Sequence, residues 1–233
     1  MIKRIAIIPA RGGSKRIPRK NIREFAGKPM ISYVLDTAQR SNLFDKIHVS
    51  SEDSEIIELV ESNGFKIDFK RPSFLSDDRT PILPVLKYVL TKYQSVGELY
   101  DEVWLLMACN PLIEPTDLIS ASKKFENNCS ISPVLAVTEY PVPIEWAFEM
   151  DEQTSNLSPV NKGMFAKSAK DFVPKYFDAG TFSIWPSSMI LSSTGAGSDE
   201  KFIGFKLPKS KCIDIDEEED WIIAEALYLA RFR

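Results

Sequence analysis

The first half of the sequence alternates short apolar runs with amphipathic segments, and this alternation limits the chain to α/β folds. Residues 5–8, Ile-Ala-Ile-Ile, are typical of a buried strand. Similar runs predict further strands at residues 46–50, 65–69 and 103–108. Helical periodicity predicts helices at residues 29–40, 52–62, 81–93 and 116–126, with Asp77 or Asp78 as the cap of the third. We therefore expect βαβ units that form one mostly parallel sheet with helices on both faces.

A cationic loop with two adjacent glycines follows the first strand directly. Residues 9–22 carry five Arg or Lys side chains together with Gly12, Gly13 and Ser14. Backbone N–H groups that converge at glycines, combined with cationic side chains, hold polyphosphates. The spacing matches neither G-x-x-x-x-G-K-[ST] nor G-x-G-x-x-G. Because open α/β sheets bind ligands at the carboxyl ends of their strands, we predict that this loop binds a polyphosphate.

Composition excludes several classes of protein. The chain has 29 basic and 33 acidic side chains and a net charge of −4, which argues against general nucleic-acid binding. The three cysteines form no C-x-x-C pair, which is typical of a reduced protein. The first residues contain no apolar segment long enough for a signal peptide or a membrane span. We expect a cytoplasmic protein with no membrane or nucleic-acid partner.

The pattern changes after residue 130. Residues 134–175 contain prolines and scattered aromatic side chains but no helical periodicity. We interpret them as an extended β excursion whose aromatic residues are buried in a subunit contact; a loop packed on its own domain is the alternative. Strand patterns return at 182–185 and 202–207, and a helix is predicted at 217–231. Residues 1–233 are thus predicted to form a single domain.

The sequence points away from histidine and cysteine catalysis. His48 is the only histidine, and its position within a predicted strand favours a structural role. Positioning, positive charge and a metal ion remain, and these are what phosphoryl transfer uses. Asp214 and Asp216, if they lie in a strand, face the same side and can share one Mg²⁺. The alternative is that Asp216 caps the last helix and Asp214 is solvated.

Other polar residues follow predicted strands and are candidates for ligand binding. Arg71 follows residues 65–69 and can contact a base or a phosphate, unless it is an ordinary surface arginine. Asn110 follows residues 103–108 and can bind a hydroxyl or a carbonyl group, unless it only forms a turn. Gly180, in the segment Asp178-Ala179-Gly180, permits the close approach of a ligand or a strand-entry turn.

Several of these motifs, taken in order, resemble one family. Residues 8–22 are similar, almost residue for residue, to the N-terminal signature of the cytidylyltransferases that activate sialic-acid-like sugars. The resemblance continues at residues 27–29, 49–53, 71–72, 75–78 and 214–216, and it covers nearly the whole chain. It implies a Rossmann-like, GT-A-like nucleotidyltransferase fold and a homodimer formed through an inserted β segment. It also implies CTP and Mg²⁺, with attack by the anomeric hydroxyl of a nonulosonic acid on the α-phosphate and release of pyrophosphate.

The resemblance assigns expected roles to individual residues. Arg11, Lys20, Asp214 and Asp216 are the expected catalytic residues, and the two aspartates are also the expected metal ligands. The residues expected to bind CTP are Ala10, Arg11, Gly12, Gly13, Ser14, Lys15, Lys20, Asn21 and Arg71. The residues expected to bind the sugar are Asn110, Lys170, Asp178 and Gly180.

Residues 176–182 further resemble the subgroup that acts on pseudaminic acid. Phe177 stands where that subgroup usually has His, and residues 108–111, Ala-Cys-Asn-Pro, depart from the usual Thr-Ala-Pro or Thr-Ser-Pro. The same reaction on N-acetylneuraminic or legionaminic acid is therefore an alternative. A glycosyltransferase and a non-catalytic nucleotide-binding protein are more distant alternatives.

Overall fold

The computed structural model describes residues 2–77, 79–195 and 201–231. Its strands are β1 (Arg4–Pro9), β2 (Glu24–Phe25), β3 (Lys28–Pro29), β4 (Lys46–Ser50), β5 (Glu102–Leu106), β6 (Val134–Glu139), β7 (Phe148–Met150), β8 (Leu157–Pro159), β9 (Tyr176–Pro186) and β10 (Ile203–Lys206). Its α-helices are α1 (Met30–Ser41), α2 (Ser54–Ser62), α3 (Ile82–Ser95), α4 (Pro115–Asn127), α5 (Ser187–Ser192) and α6 (Glu218–Ala230).

Six strands form the central sheet in the order β10-β6-β9-β5-β1-β4. β1 is parallel to β4 and β5, and β10 is parallel to β6. β9 is antiparallel to both of its neighbours, β5 and β6. The predicted mostly parallel sheet is confirmed. Because β9 runs the other way, its first residues lie at the edge where β1 and β5 end.

Helices cover both faces of the sheet, as predicted. Ala6 and Ile8 of β1 belong to the apolar cluster that includes side chains of α1, α2 and α4. Ile5 and Ile7 belong to the opposite cluster, with side chains of α3 and α5. All four are fully buried. Burial of an aliphatic side chain contributes about 1.5–3 kcal/mol, so the strand before the cationic loop is firmly held.

The strand predicted over residues 65–69 is wrong, because this segment is irregular and pairs with no described strand. Its alternating pattern has another cause. Phe65 and Ile67 pack against the cluster of α1, α2 and α4, whereas Phe69 packs against the cluster of α3 and α5. The segment therefore contacts both cores without a hydrogen-bonded partner strand.

The predicted cap of the third helix is also wrong in the described part of the chain. α3 begins after Pro81, which makes no side-chain cap. The Asp77 carboxylate accepts hydrogen bonds from the backbone N–H groups of Arg79 and Thr80 at 2.8 and 2.7 Å. It closes the turn that precedes the helix, and Asp78 lies outside the described residues.

Residues 140–175 leave the central sheet between β6 and β9, and we call them the excursion. Residues 134–139, which the prediction included in it, form β6 within the sheet. The excursion contains the antiparallel pair β7–β8 and a group of rings in which Phe165 contacts Trp146 and Phe148. Phe165 is nevertheless 64% exposed and Val173 is 74% exposed. Much of the apolar surface of the excursion faces solvent in the single chain.

His48 has the structural role that was predicted. It is fully buried in β4, and its Nδ1–H donates to the Tyr93 hydroxyl at 2.9 Å, while that hydroxyl donates to Asp68 at 2.8 Å. Burial lowers the pKa of His48 to about 4, so the imidazole is neutral near pH 7. Among the described residues, no helix combines the length and the apolar character needed to cross a membrane.

Candidate active site

A cavity of about 300 Å³ opens at the carboxyl edge of the sheet. Part of its lining comes from the loop after β1, part from the segment after β5, and part from the start of β9 and the segment before α6. The structure brings together nine of the predicted residues in its lining: Arg11, Ser14, Lys15, Lys20, Asn21, Arg71, Gly180, Asp214 and Asp216. The predicted residues outside the lining are Ala10, Gly12, Gly13, Asn110, Lys170 and Asp178.

The cationic loop packs against the residues at the N-terminal end of α2. Arg19 of the loop donates to both carboxylate oxygens of Asp53, at 2.7 and 3.0 Å. Asp53 also caps α2 by accepting from the Ile56 N–H at 3.1 Å. The Gly12 N–H donates to Glu52 at 2.9 Å. Because the Gly12 N–H already donates to a side chain of the protein, we interpret this glycine as a residue that lets the loop pack closely against the start of α2.

The aspartate pair does not lie in a strand, contrary to the prediction, because residues 212–216 are irregular. Both carboxylates still line the cavity because Ile215, between them, is buried. Lys20 Nζ donates to the Ile215 carbonyl at 2.5 Å and lies 3.3 Å from an Asp216 oxygen. The second Asp216 oxygen lies 2.7 Å from Arg16. Since Glu217 and Asp220 form the capping box of α6, Asp216 is not the helix cap.

The two aspartates have different electrostatic surroundings. Partial loss of water and the nearby charge of Asp216 raise the pKa of Asp214. For Asp216, loss of water also favours the protonated form, but the Arg16 hydrogen bond and the charge of Lys20 outweigh it and lower the pKa. Two carboxylates that repel each other beside a cavity suit a divalent cation, and Mg²⁺ takes one or two protein carboxylates together with phosphate oxygens. The described residues contain no cluster of three or more metal-binding side chains.

Arg71 is buried and not a surface arginine. Only 6% of the residue is exposed, and its Nη2 donates to the Ser50 carbonyl at 2.8 Å. Its Nε has no hydrogen-bond partner among the described residues. Burial lowers the pKa of Arg71, and the charge of Glu52 opposes this effect. A buried guanidinium that is incompletely bonded and lines a cavity can bind an acceptor group of a ligand.

Three residues that contact the predicted site residues were missed by the sequence analysis: Arg16, Glu52 and Cys109. Cys109 lines the cavity, and its thiol donates a hydrogen bond to Asn21 Oδ1 at 3.1 Å. The Asn21 amide in turn donates to the Arg11 carbonyl at 2.8 Å. Burial raises the pKa of Cys109 to about 12, so the thiol keeps its proton and holds the Asn21 amide in one orientation. No sequence pattern signalled this contact, because the two residues are far apart along the chain.

Comparison with known proteins shows the family of the chain. Residues 5–157 match the family model described as cytidylyltransferase. The chain belongs to the cytidylyltransferase family. This cytidylyltransferase is 37% identical over 227 residues to a pseudaminic acid cytidylyltransferase of Campylobacter jejuni, with 97% of both chains covered. It is 27% identical over 223 residues to a CMP-N,N'-diacetyllegionaminic acid synthase of Legionella pneumophila, which covers 96% of this chain and 95% of the relative.

A solved structure shares the fold of the cytidylyltransferase chain. The CMP:2-keto-3-deoxy-manno-octonic acid synthetase complexed with CTP matches it with a TM-score of 0.70 and 16% identity. The match covers 99% of this chain and all of the other. At this identity the comparison establishes the fold alone. The predicted nucleotidyltransferase fold is confirmed.

The residues predicted to bind the sugar are dispersed. Gly180 lies in the cavity with a φ of 61°, and its N–H donates to Asp178 at 2.9 Å. A Cβ at Gly180 would lie 3.4 Å from the Asp214 carboxylate. Asn110 is buried and outside the lining, and Lys170 is exposed on the excursion. The roles of these residues remain predictions.

Replacement of Gly12 by Ala tests the packing of the loop on α2. The new Cβ would lie 2.1 Å from Asp53 Oδ2 and 2.7 Å from its Cγ, so Asp53 must turn away from Arg19 and from the start of α2. Loss of a helix cap costs about 1 kcal/mol. We expect Gly12→Ala to lower the free energy of unfolding by about 1–2 kcal/mol and to weaken CTP binding, measured by urea unfolding and calorimetry. Gly13→Ala is the matched control, since a Cβ there meets nothing within 4 Å. Equal behaviour of the two variants would contradict this account.

Proposed function

We propose that this cytidylyltransferase transfers CMP from CTP to the anomeric hydroxyl of a nonulosonic acid, with pseudaminic acid as the preferred sugar, and releases pyrophosphate. The observation that carries the proposal is a single cavity that contains the cationic loop on one side and the aspartate pair on the other. The 37% identity to a pseudaminic acid cytidylyltransferase over nearly the whole chain supports the choice of sugar. We place the reaction in the cytoplasm, where CTP is available.

The cationic loop is suited to the triphosphate. Arg11, Lys15 and Lys20 line the cavity together with Ser14, and these groups donate hydrogen bonds that match phosphate oxygens. Negative charge grows on the departing pyrophosphate during the reaction. Arg11 and Lys20 can stabilise this charge because they are already in position and need not reorganise.

Asp214 and Asp216 fit the role of Mg²⁺ ligands, as their charge and donor atoms indicate. When bound, the metal would neutralise phosphate charge and lower the pKa of the attacking hydroxyl. The only histidine is buried elsewhere, so the hydroxyl proton passes to a carboxylate oxygen of this pair or to water. Lys20 holds the segment of the pair through the Ile215 carbonyl, which links the anionic side of the cavity to the loop.

The sugar is assigned to the side of the cavity formed by the start of β9. Asp178 precedes Gly180 there, and the negative charge of Asp178 contributes to the raised pKa of Asp214. The rings of Phe177 and Tyr140 are in contact at a tilt of 52°, with centroids 4.7 Å apart. Phe177, Asp178 and Gly180 follow the excursion in the chain, and Tyr140 is its first residue. We propose that this region selects among nonulosonic acids.

Pyrophosphate release with a panel of sugars tests the proposed function. The protein is mixed with CTP, Mg²⁺ and either pseudaminic, legionaminic or N-acetylneuraminic acid. We expect the highest kcat/KM with pseudaminic acid, and no release when UTP or ATP replaces CTP. A higher kcat/KM with one of the other acids would reassign the sugar. The absence of pyrophosphate with every acid would reject the reaction itself.

The Asp214→Asn variant tests the role of the aspartate pair. The substitution keeps the shape of the side chain and removes its charge, so pyrophosphate release should fall by about 10²-fold or more while the circular dichroism spectrum is unchanged. The Mg²⁺ concentration needed for half-maximal activity should also rise. Glu219→Gln, at an exposed position of the same acidic stretch, is the control and should keep wild-type activity. Near-normal release by Asp214→Asn would remove this residue from the site.

We also propose that the protein is a homodimer joined through the excursion. The exposed apolar side chains of the excursion support this, with Met150 61% and Val173 74% exposed. Val173 directly follows Phe172, whose ring contacts Trp146, and a second copy can bury the apolar surface of this segment.

Charged substitutions in the excursion test this association. Met150→Glu and Val173→Glu should each raise the dimer dissociation constant at least about tenfold, because a carboxylate would have to be desolvated in the interface. Light scattering after size-exclusion chromatography measures the change. Val96→Glu, at a position that is 72% exposed and outside the excursion, should leave the dimer intact. A wild-type protein that is monomeric at all concentrations would disprove the proposal.

A further inference from the structure

We propose that Glu52 is a positioning residue that joins the two halves of the nucleotide site. One of its carboxylate oxygens holds the cationic loop, and the other faces the buried guanidinium of Arg71. The identity of the nucleotide rests on the function proposed above, whereas the two contacts of Glu52 belong to the ligand-free protein.

The first contact fixes the loop. The Gly12 N–H donates to Glu52 Oε1 at 2.9 Å. Gly12 is directly followed by Gly13 and Ser14, so without this bond the backbone here would have wide conformational freedom. Arg11, which lines the cavity, directly precedes the fixed amide. Together with the Asn21 amide, which donates to the Arg11 carbonyl, the bond holds the peptide between Arg11 and Gly12 and so the point where the Arg11 side chain leaves the backbone.

The second contact involves two incompletely bonded groups. Glu52 Oε2 lies 3.6 Å from Arg71 Nη2. Among the described residues, neither Glu52 Oε2 nor Arg71 Nε has a hydrogen-bond partner, and both atoms are buried. Buried polar atoms that lack partners are unusual and mark sites where a ligand or a rearrangement completes the bonding. The carboxylate thus balances a cation whose hydrogen bonds, in the described part of the chain, go to the carbonyl groups of Ser50 and Leu75.

Charge explains why an acid is needed at this position. Burial and the nearby charge of Arg11 both disfavour the charged form of Arg71, and Glu52 is the group that favours it. Without an anion, the two guanidinium groups would repel each other before the triphosphate binds. Glu52 therefore offsets the repulsion between Arg11 and Arg71.

Neighbouring acids do not duplicate this arrangement. Asp53 and Glu55 both contact Arg19, on the side of the loop that faces α2. Glu52 alone among these three contacts both Gly12 and Arg71. Its side chain is 27% exposed, which is consistent with a position between the loop and the protein interior.

Hydrogen–deuterium exchange of the ligand-free protein tests the first contact. Glu52→Ala removes both oxygens, so exchange in residues 10–22 should become at least about tenfold faster. In Glu52→Gln the amide oxygen can still accept from Gly12, so exchange should stay within about twofold of wild type. Glu58→Gln, at an exposed position of the nearby helix α2, is the charge control and should match wild type. Unchanged exchange in Glu52→Ala would overturn the positioning role.

Calorimetry with two ligands tests the second contact. A glutamine that keeps the Gly12 bond turns an NH₂ group toward Arg71, so Glu52→Gln should bind CTP about tenfold more weakly than wild type. Inorganic tripolyphosphate contacts the loop alone and should bind within about twofold. Glu52→Ala should weaken both ligands. Equal losses for both ligands in Glu52→Gln would overturn the link to Arg71, because a merely structural effect would not separate them.

The two experiments separate this inference from the proposed function. If the wild-type protein binds tripolyphosphate but not CTP, the proposed nucleotide is wrong, and the exchange result still decides whether Glu52 positions the loop. If wild type binds CTP and Glu52→Gln binds it equally well, the proposed nucleotide stands and the link between Glu52 and Arg71 is disproved.

Discussion

The site depends on the burial of two isoleucines that lie within highly charged stretches. Ile17 of the loop and Ile215 of the aspartate segment belong to one apolar cluster with Phe25 and Trp221, and all four are nearly inaccessible to solvent. Burial of each isoleucine contributes about 1.5–3 kcal/mol, which is enough to hold an irregular segment in place. Because their charged neighbours must then face the cavity, cations and carboxylates that are distant in sequence come together.

The charges on the two sides of the cavity are matched before any ligand binds. Asp216 is paired with Arg16 and Lys20, while Glu52 lies beside Arg71. Arg71 is buried, so the nearby Glu52 carboxylate avoids leaving its charge uncompensated, which is costly in a protein interior.

The sequence was sufficient to predict features that depend on local pattern or on resemblance. The strand before the loop, the alternation of strands and helices, and the cytidylyltransferase family were predicted correctly. The strand at residues 65–69 was wrong because alternation of Phe65 and Ile67 with polar residues reports burial but not a hydrogen-bonded partner. Asp214 and Asp216 line the cavity without a strand, since the burial of Ile215 and the bond from Lys20 to its carbonyl hold the segment in place. The contacts of Cys109 and Glu52 depend on tertiary packing between distant segments, for which a single sequence has no signal.

The path of the excursion has a consequence for how this fold can change over evolution. Glu139 at the end of β6 and Tyr176 at the start of β9 are paired in the sheet, so residues 140–175 leave and return at adjacent points. The free energy of closing such a loop depends only weakly on its length. Insertions, deletions or replacement of the whole segment therefore need not move the catalytic edge of the sheet. The excursion can diversify among descendants of this chain while the edge of the sheet that carries the cavity is inherited unchanged.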